Sequence, residues 1–379
     1  MKLLLACGLW WLSATPGLAA ASDVCPLLRA QVDSPVVATR IAAAACEEHQ
    51  AWYRPFIDLE GHYAGSRVRE AETGLLANGQ PAWLRVVDYW RGSGLLGRAS
   101  GRPGASDCAY AGSSQYASPS CRGFVVDTPW SAAFVSWVMR RARVPGFNAS
   151  ASHVSYVRDA YRDPTGNAYQ VANPVSARPQ PGALLCYVRV ASRVYGFDGL
   201  AGLLSSNDSG LNMHCDIVVA TNPDNDGMAY LVGGNVLDGV TMRLLKLTPG
   251  GQLADLPMRV QGTPECAPDA PTACNASRQD WAVLLQLRPP QQLAQLPPAI
   301  PMAPSGGQQA QARPSQQCCV NCVVGSGIPR CPAGTPAPIR PAVPAPRPAT
   351  PPPASTRCCV NCVVGSGLPR CPAGTSPQP

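Results

Sequence analysis

The stretch DTPWSAAFVSWVMRRARVPGF, Asp127 to Phe147, decides how the middle of this chain folds. Thr128 has the side chain of an N-cap, and Pro129 suits a first helical position, where its missing amide hydrogen is not needed. Phe134, Trp137, Val138 and Arg141 then fall on one side of the helix, and VPGF ends it. The first turn of such a helix offers unpaired amides and the positive end of the macrodipole. Ser131 therefore stands where attack on a carbonyl would be favoured, its own amide donating to the oxyanion. The plainer reading is that a serine in a first turn only caps the helix or faces solvent.

A hydroxyl needs a base, and the chain has four histidines: His49, His62, His153 and His214. HCDIVVA (214–220) and AYLVGGNV (229–236) read as a hairpin around TNPDNDGM. Matching Ala220 with Ala229 sets His214 opposite Asn235, with Cβ atoms about 5 Å apart, so the Asn235 amide could orient the imidazole. Asp216 shares the face of His214 and is the alternative orienter, while Cys215 points the other way, towards Cys186 on the preceding strand. Asn235 lies in a turn-like GGN string and equally suits a turn cap. His153, beside Ser152 on a second helix expected over 152–161 and capped by Ser150, is the reserve base. His49 and His62, in the front helical segment, read as packing or solvated residues. Trp130 fits helix packing or the floor of a substrate groove.

Outward from this centre, the segments from Cys25 to about Tyr53 and over 81–90 have helical periodicity. Extended segments follow over 183–190, 214–220, 229–236, 240–247 and 281–289. Helices followed by an antiparallel meander make an α+β fold. Residues 1–21 read as a cleaved export signal, so the product is expected in the periplasm or outside the cell; Cys7 comes too early for a lipoprotein site. The body spans 22–295, with a core over 55–290. A Pro/Gln-rich linker (296–317), a Cys-rich repeat (318–334), a second Pro-rich linker (335–357) and the repeat again (358–374) make up the tail. The repeats differ only at Ile328 and Leu368, and their cysteines read as small disulfide-stapled knobs, with thiolate metal binding as the rival.

Without the signal's Cys7, 16 of the 17 cysteines remain, an even number that fits disulfides in an exported chain. Within the body, sequence neighbours make the simplest pairing: Cys25 with Cys46, Cys108 with Cys121, Cys186 with Cys215, and Cys266 with Cys274. That leaves no thiolate nucleophile. The formal charge of +7 is carried almost wholly by arginine and favours anionic envelope polymers. No HExxH motif, histidine pair at ligand spacing or phosphate-binding glycine loop occurs, so no metal and no cofactor are expected. Export, interspersed acidic residues and few aromatics argue against nucleic acid, and no run beyond the leader is long enough to span a bilayer.

PWSAAFVSWVMRRARVPGF, PGALLCYV and HCDIVVATNPDNDGMAYLVGGN together resemble the helix, strand and His hairpin of the papain-like CHAP and NlpC-type cell-wall amidases and peptidases. With PAWLRVVDYW, SASHVSYVRDA and GGNV added, residues 55–290 are most similar to the bacterial domain-of-unknown-function family 2272, which carries no assigned activity. The resemblance implies a hydrolase of peptidoglycan amide bonds in which Ser131 replaces the usual cysteine, His214 is the base and Asn235 the orienter. A serine nucleophile leaves an ester substrate equally open. The alternative is a non-catalytic envelope- or wall-binding protein on a degenerate papain-like fold.

Overall fold

The computed structural model describes residues 23–302, apart from 71, 112–118, 206–209 and 265. The expected leader and both Cys-rich repeats lie outside the described residues. Helices dominate the first half: α1 (Cys25–Leu28), α2 (Val37–Ala51), α3 (Ala82–Gly92), α4 (Ala105–Cys108), α5 (Pro119–Asp127), α6 (Ser131–Arg141) and α7 (His153–Arg162), with two two-residue strands between α2 and α3. Later come α8 (Gly196–Leu204) and α9 (Pro290–Leu293). The strands are β1 (Phe56–Ile57), β2 (Tyr63–Ala64), β3 (Tyr169–Ala172), β4 (Leu184–Val188), β5 (Met213–Thr221), β6 (Met228–Val236), β7 (Gly239–Lys246) and β8 (Asp280–Leu287). They form one sheet in the order β2-β1-β7-β6-β5-β4-β8-β3, antiparallel except where β1 runs parallel to β7. The fold is α+β, with the five expected strands at its centre.

Both sheet faces are covered, which is why β4 is buried along its whole length. Leu184, Cys186 and Val188 join the core beneath the helices, where α2 and α6 pack on β5 and β6. Leu185 and Tyr187 point the other way, into a second cluster with Leu231, Leu253, Trp281 and Leu284, roofed by the chain between β7 and β8. Under the helices Trp130 stacks on Trp52 and Tyr89, with ring centroids 5.8 and 5.5 Å away. Fully burying a side chain of this kind stabilises the fold by about 1.5–3 kcal/mol.

Two glycines of β6 set how closely its neighbours approach. A Cβ on Gly234 would lie 2.4 Å from the Phe134 ring of α6, and one on Gly233 would lie 2.0 Å from Asp216 Oδ1. The four expected body disulfides are present. Cys186 and Cys215 sit directly opposite each other on β4 and β5. In a chain-entropy account each such closure contributes about 2–4 kcal/mol by restricting the unfolded chain.

Three local expectations change. Helix α6 starts at Ser131 with Trp130 as its N-cap, because Thr128 and Pro129 close α5 instead: the Thr128 amide donates to Phe124 O at 3.0 Å. Helix α7 starts at His153 with Ser152 as its N-cap, and Ser150 Oγ accepts from the Ser152 amide at 3.1 Å. The body also runs past residue 295: Leu296 and Met302 pack on the core, and the Gly146 amide donates to Pro297 O at 3.0 Å.

Candidate active site

Ser131 is the first residue of α6, and the helical ladder begins with Phe134 N donating to Trp130 O at 2.8 Å. The amides of Ser131, Ala132 and Ala133 therefore precede that ladder, at the positive end of the helix. Ser131 Oγ lies 2.7 Å from His153 Nε2, and Tyr156 Oη holds His153 Nδ1 from one turn along α7. Only the tautomer with its hydrogen on Nδ1 leaves Nε2 free to take the serine proton, and in that tautomer Nδ1–H donates to Tyr156 Oη. Burial pushes His153 well below the ordinary histidine value, with help from the His214 ring and Arg189 and against the pull of Asp216. The neutral imidazole required of a base is thus the favoured form. Burial also pushes Tyr156 well above the usual phenol value, so it stays protonated.

His214 is not the hydrogen-bond partner of Ser131. It pairs with Tyr187 across β4 and β5 and so shares that side chain's face, whereas α6 packs on the face of Cys215 and Ile217. Its ring meets that of His153 at a centroid distance of 5.2 Å, and its Nε2 lies 2.9 Å from Asp216 Oδ1. Arg243 Nε donates to the other oxygen, Asp216 Oδ2, at 2.9 Å, and its Nη1 reaches both Ala276 O and Ser277 Oγ. Burial alone would raise the Asp216 carboxyl, but Arg243 and His214 hold it well below the usual carboxylate range. The serine, two imidazoles, a carboxylate and a guanidinium thus form one chain of contacts.

Of the two orienters foreseen for His214, the structure brings up Asp216 and not Asn235. On β5 and β6 the inner pairs Ile217↔Val232 and Val218↔Leu231 keep the foreseen register, but beyond them a bulge shifts it, so Thr221 rather than Ala220 faces Ala229. Asn235 adopts a left-handed φ of +56°, and a second irregularity falls between Gly234 and Val236. With its amide oriented to satisfy both neighbours, Asn235 donates to Glu70 Oε2 and accepts from the Trp130 amide, each at 3.1 Å. It secures the residue before Ser131. Trp130 is fully buried and does not floor the cleft; its indole donates to Glu70. Loss of water raises Glu70 to about 7, Asp238 adds to this, and the Trp130 hydrogen bond opposes it.

Tyr156, Arg243 and Glu70 were missing from the sequence reading. Tyr156 carried a signal, since residues three apart on a helix share a face. Arg243 needed the β6–β7 register, and Glu70, in an irregular segment, left none. His62 is exposed 3.3 Å from Asp58, and His49 is buried with Nε2 2.9 Å from Pro55 O. A cleft of about 440 Å³ opens beside Ser131 and His153, lined also by Arg102, Arg189, Asn212 and Met213. Among the described residues, no group of three or more His, Cys, Asp or Glu side chains could hold a metal ion, and no helix is long and apolar enough to cross a membrane.

No curated protein and no solved structure matches this chain. Over residues 77–287, more than half its length, the chain matches the bacterial family described as "Uncharacterized protein conserved in bacteria (DUF2272)", and it belongs to that family.

Proposed function

We propose that the body is an exported serine hydrolase of papain-like architecture that cleaves an acyl bond, with an amide of cell-wall peptide as substrate. The observation that carries this reading is the 2.7 Å contact between Ser131 Oγ and His153 Nε2 at the N-terminus of a helix facing a cleft. The papain-like reading is supported by a serine-bearing helix packed on an antiparallel sheet, and it differs from that pattern in its base, since the histidine that meets Ser131 stands on α7 and not on a strand. Export is supported by the four disulfides, and the wall substrate by the sequence resemblance.

In this mechanism the Ser131 hydroxyl proton passes to His153 Nε2 as Oγ bonds to the substrate carbonyl carbon. The resulting oxyanion lies against the leading amides of α6. His153 then gives the proton to the leaving amine as the C–N bond breaks. A water, deprotonated by the same nitrogen, releases the acid and regenerates Ser131. Tyr156 holds the ring and its tautomer. The Asp216 charge, fixed by His214 and Arg243, favours the imidazolium that forms on His153.

A fluorophosphonate probe tests this. Labelling that maps to Ser131 by mass spectrometry, lost in Ser131→Ala and His153→Ala, together with fragments released from purified murein, is the expected result. No labelling and no fragments, with murein still sedimenting the protein, would leave the non-catalytic binding protein as the better reading.

A further inference from the structure

The cleft beside Ser131 has a charge pattern that the hydrolytic step does not use. None of its lining residues is acidic, while Arg102 and Arg189 both stand on its wall. Both side chains are exposed. Among the described residues neither guanidinium enters a hydrogen bond or an ion pair. Elsewhere Arg85, Arg91, Arg243 and Arg288 are each held by carboxylates, carbonyls or an amide oxygen. The two arginines are nevertheless anchored by their backbones: Arg102 N donates to Ala99 O and Arg189 N to Asn212 O, both at 2.8 Å. Helices α6 and α7 also begin on this wall, at Ser131 and His153, so their positive ends add to the same field.

We propose that Arg102 and Arg189 form a carboxylate-binding subsite, which selects substrates bearing a free carboxylate close to the bond presented to Ser131. Guanidinium forks match a carboxylate in planar, bidentate geometry. At about 440 Å³ the cleft lies near the small end of ligand pockets, which run from about 300 to 1,000 Å³, and suits a chain end better than a threaded polymer. The inference rests on the hydrolase reading for its substrate, and its test does not depend on turnover.

The test uses the full chain carrying Ser131→Ala, titrated with N-acetylalanine, N-acetylalanine amide and inorganic phosphate by ligand-observed NMR. The acid is expected to bind about 10-fold more tightly than the amide, and Arg102→Gln and Arg189→Gln are each expected to weaken the acid alone by about 10-fold. Arg189→Lys should keep part of that preference, since it retains charge without the fork. Equal binding of acid and amide, no binding of either, or acid binding indifferent to both arginines overturns the subsite. Phosphate binding more tightly than the acid through the same arginines overturns its assignment to carboxylate. If Ser131 in the unsubstituted chain resists the fluorophosphonate while the acid still binds, the hydrolase reading fails and the subsite stands.

Discussion

His49 and His153 are both buried, at 2% and 4% exposure, and both sit below the ordinary histidine value chiefly because they have lost water. Their surroundings differ. His49 Nε2 donates to the Pro55 carbonyl, which fixes Nδ1 as the acceptor, and Nδ1 meets no partner among the described residues. Its cavity of about 420 Å³ is walled largely by Tyr53, Phe56, Tyr230, Met242 and Leu244. His153 has both nitrogens engaged, one by a hydroxyl at a helix start and the other by a phenol. Burial makes both rings neutral, but only one of them has a proton to take. A perturbed histidine becomes a candidate base through its partner, not through its pKa alone.

The sharpest way to break this comparison is to remove each ring's chemistry. Ser131→Ala or His153→Ala should lower kcat/KM by about 10³-fold or more. His49→Gln should leave it within about 2-fold, measured by release of murein fragments; a large loss there would erase the distinction. Next comes the support behind His153. Asp216→Asn removes the charge that pairs Arg243 in a fully buried site, and denaturant unfolding should record a loss of about 3–5 kcal/mol. His62→Ala, which breaks an exposed pair with Asp58, should cost at most about 1 kcal/mol.

Smaller effects refine the same contrast. Tyr156→Phe keeps the ring but removes the oxygen that accepts from His153 Nδ1, and kcat should fall about 10-fold with KM little changed. The pH profile follows from the direction of the shifts. Both histidines are depressed in the folded protein, so each contributes stability that is complete above the unfolded value of ~6.5 and lost as pH falls below it. Unfolding free energy should therefore decline on acidification, less steeply in His49→Phe. The acid limb of kcat/KM should lie below ~6.5, because His153 resists protonation. A limb at or above that value would mean that another group governs the rate.

Much of this was legible in the sequence. The central strands showed themselves by alternation, and the disulfide pairs by proximity in the chain. Ser131 was visible as a first-turn residue and His153 as a groove-facing alternative. The partnership between them was not, because it depends on which face of the sheet a strand residue occupies. Alternation placed His214 and Cys215 on opposite faces, yet nothing in the sequence said which face the helix would cover. The packing of α6 on the Cys215 side gave Ser131 to His153 and left His214 to brace it. The start of α6 was misplaced because Thr128 and Pro129 suit the end of one helix as well as the beginning of another. Strands as short as β1 and β2, two residues each, are too brief to carry a period.

The two glycines of β6 amount to a gauge block. With no side chain at Gly234, α6 rests directly on the strand through Phe134, and the height of that helix above the sheet sets where Ser131 stands. A single methyl group there, Gly234→Ala, is therefore a change to the position of Ser131 made from beneath the helix, by a residue that itself carries no acid, base or hydroxyl. Thickness at this seam is thus one of the dimensions that fix where Ser131 meets His153.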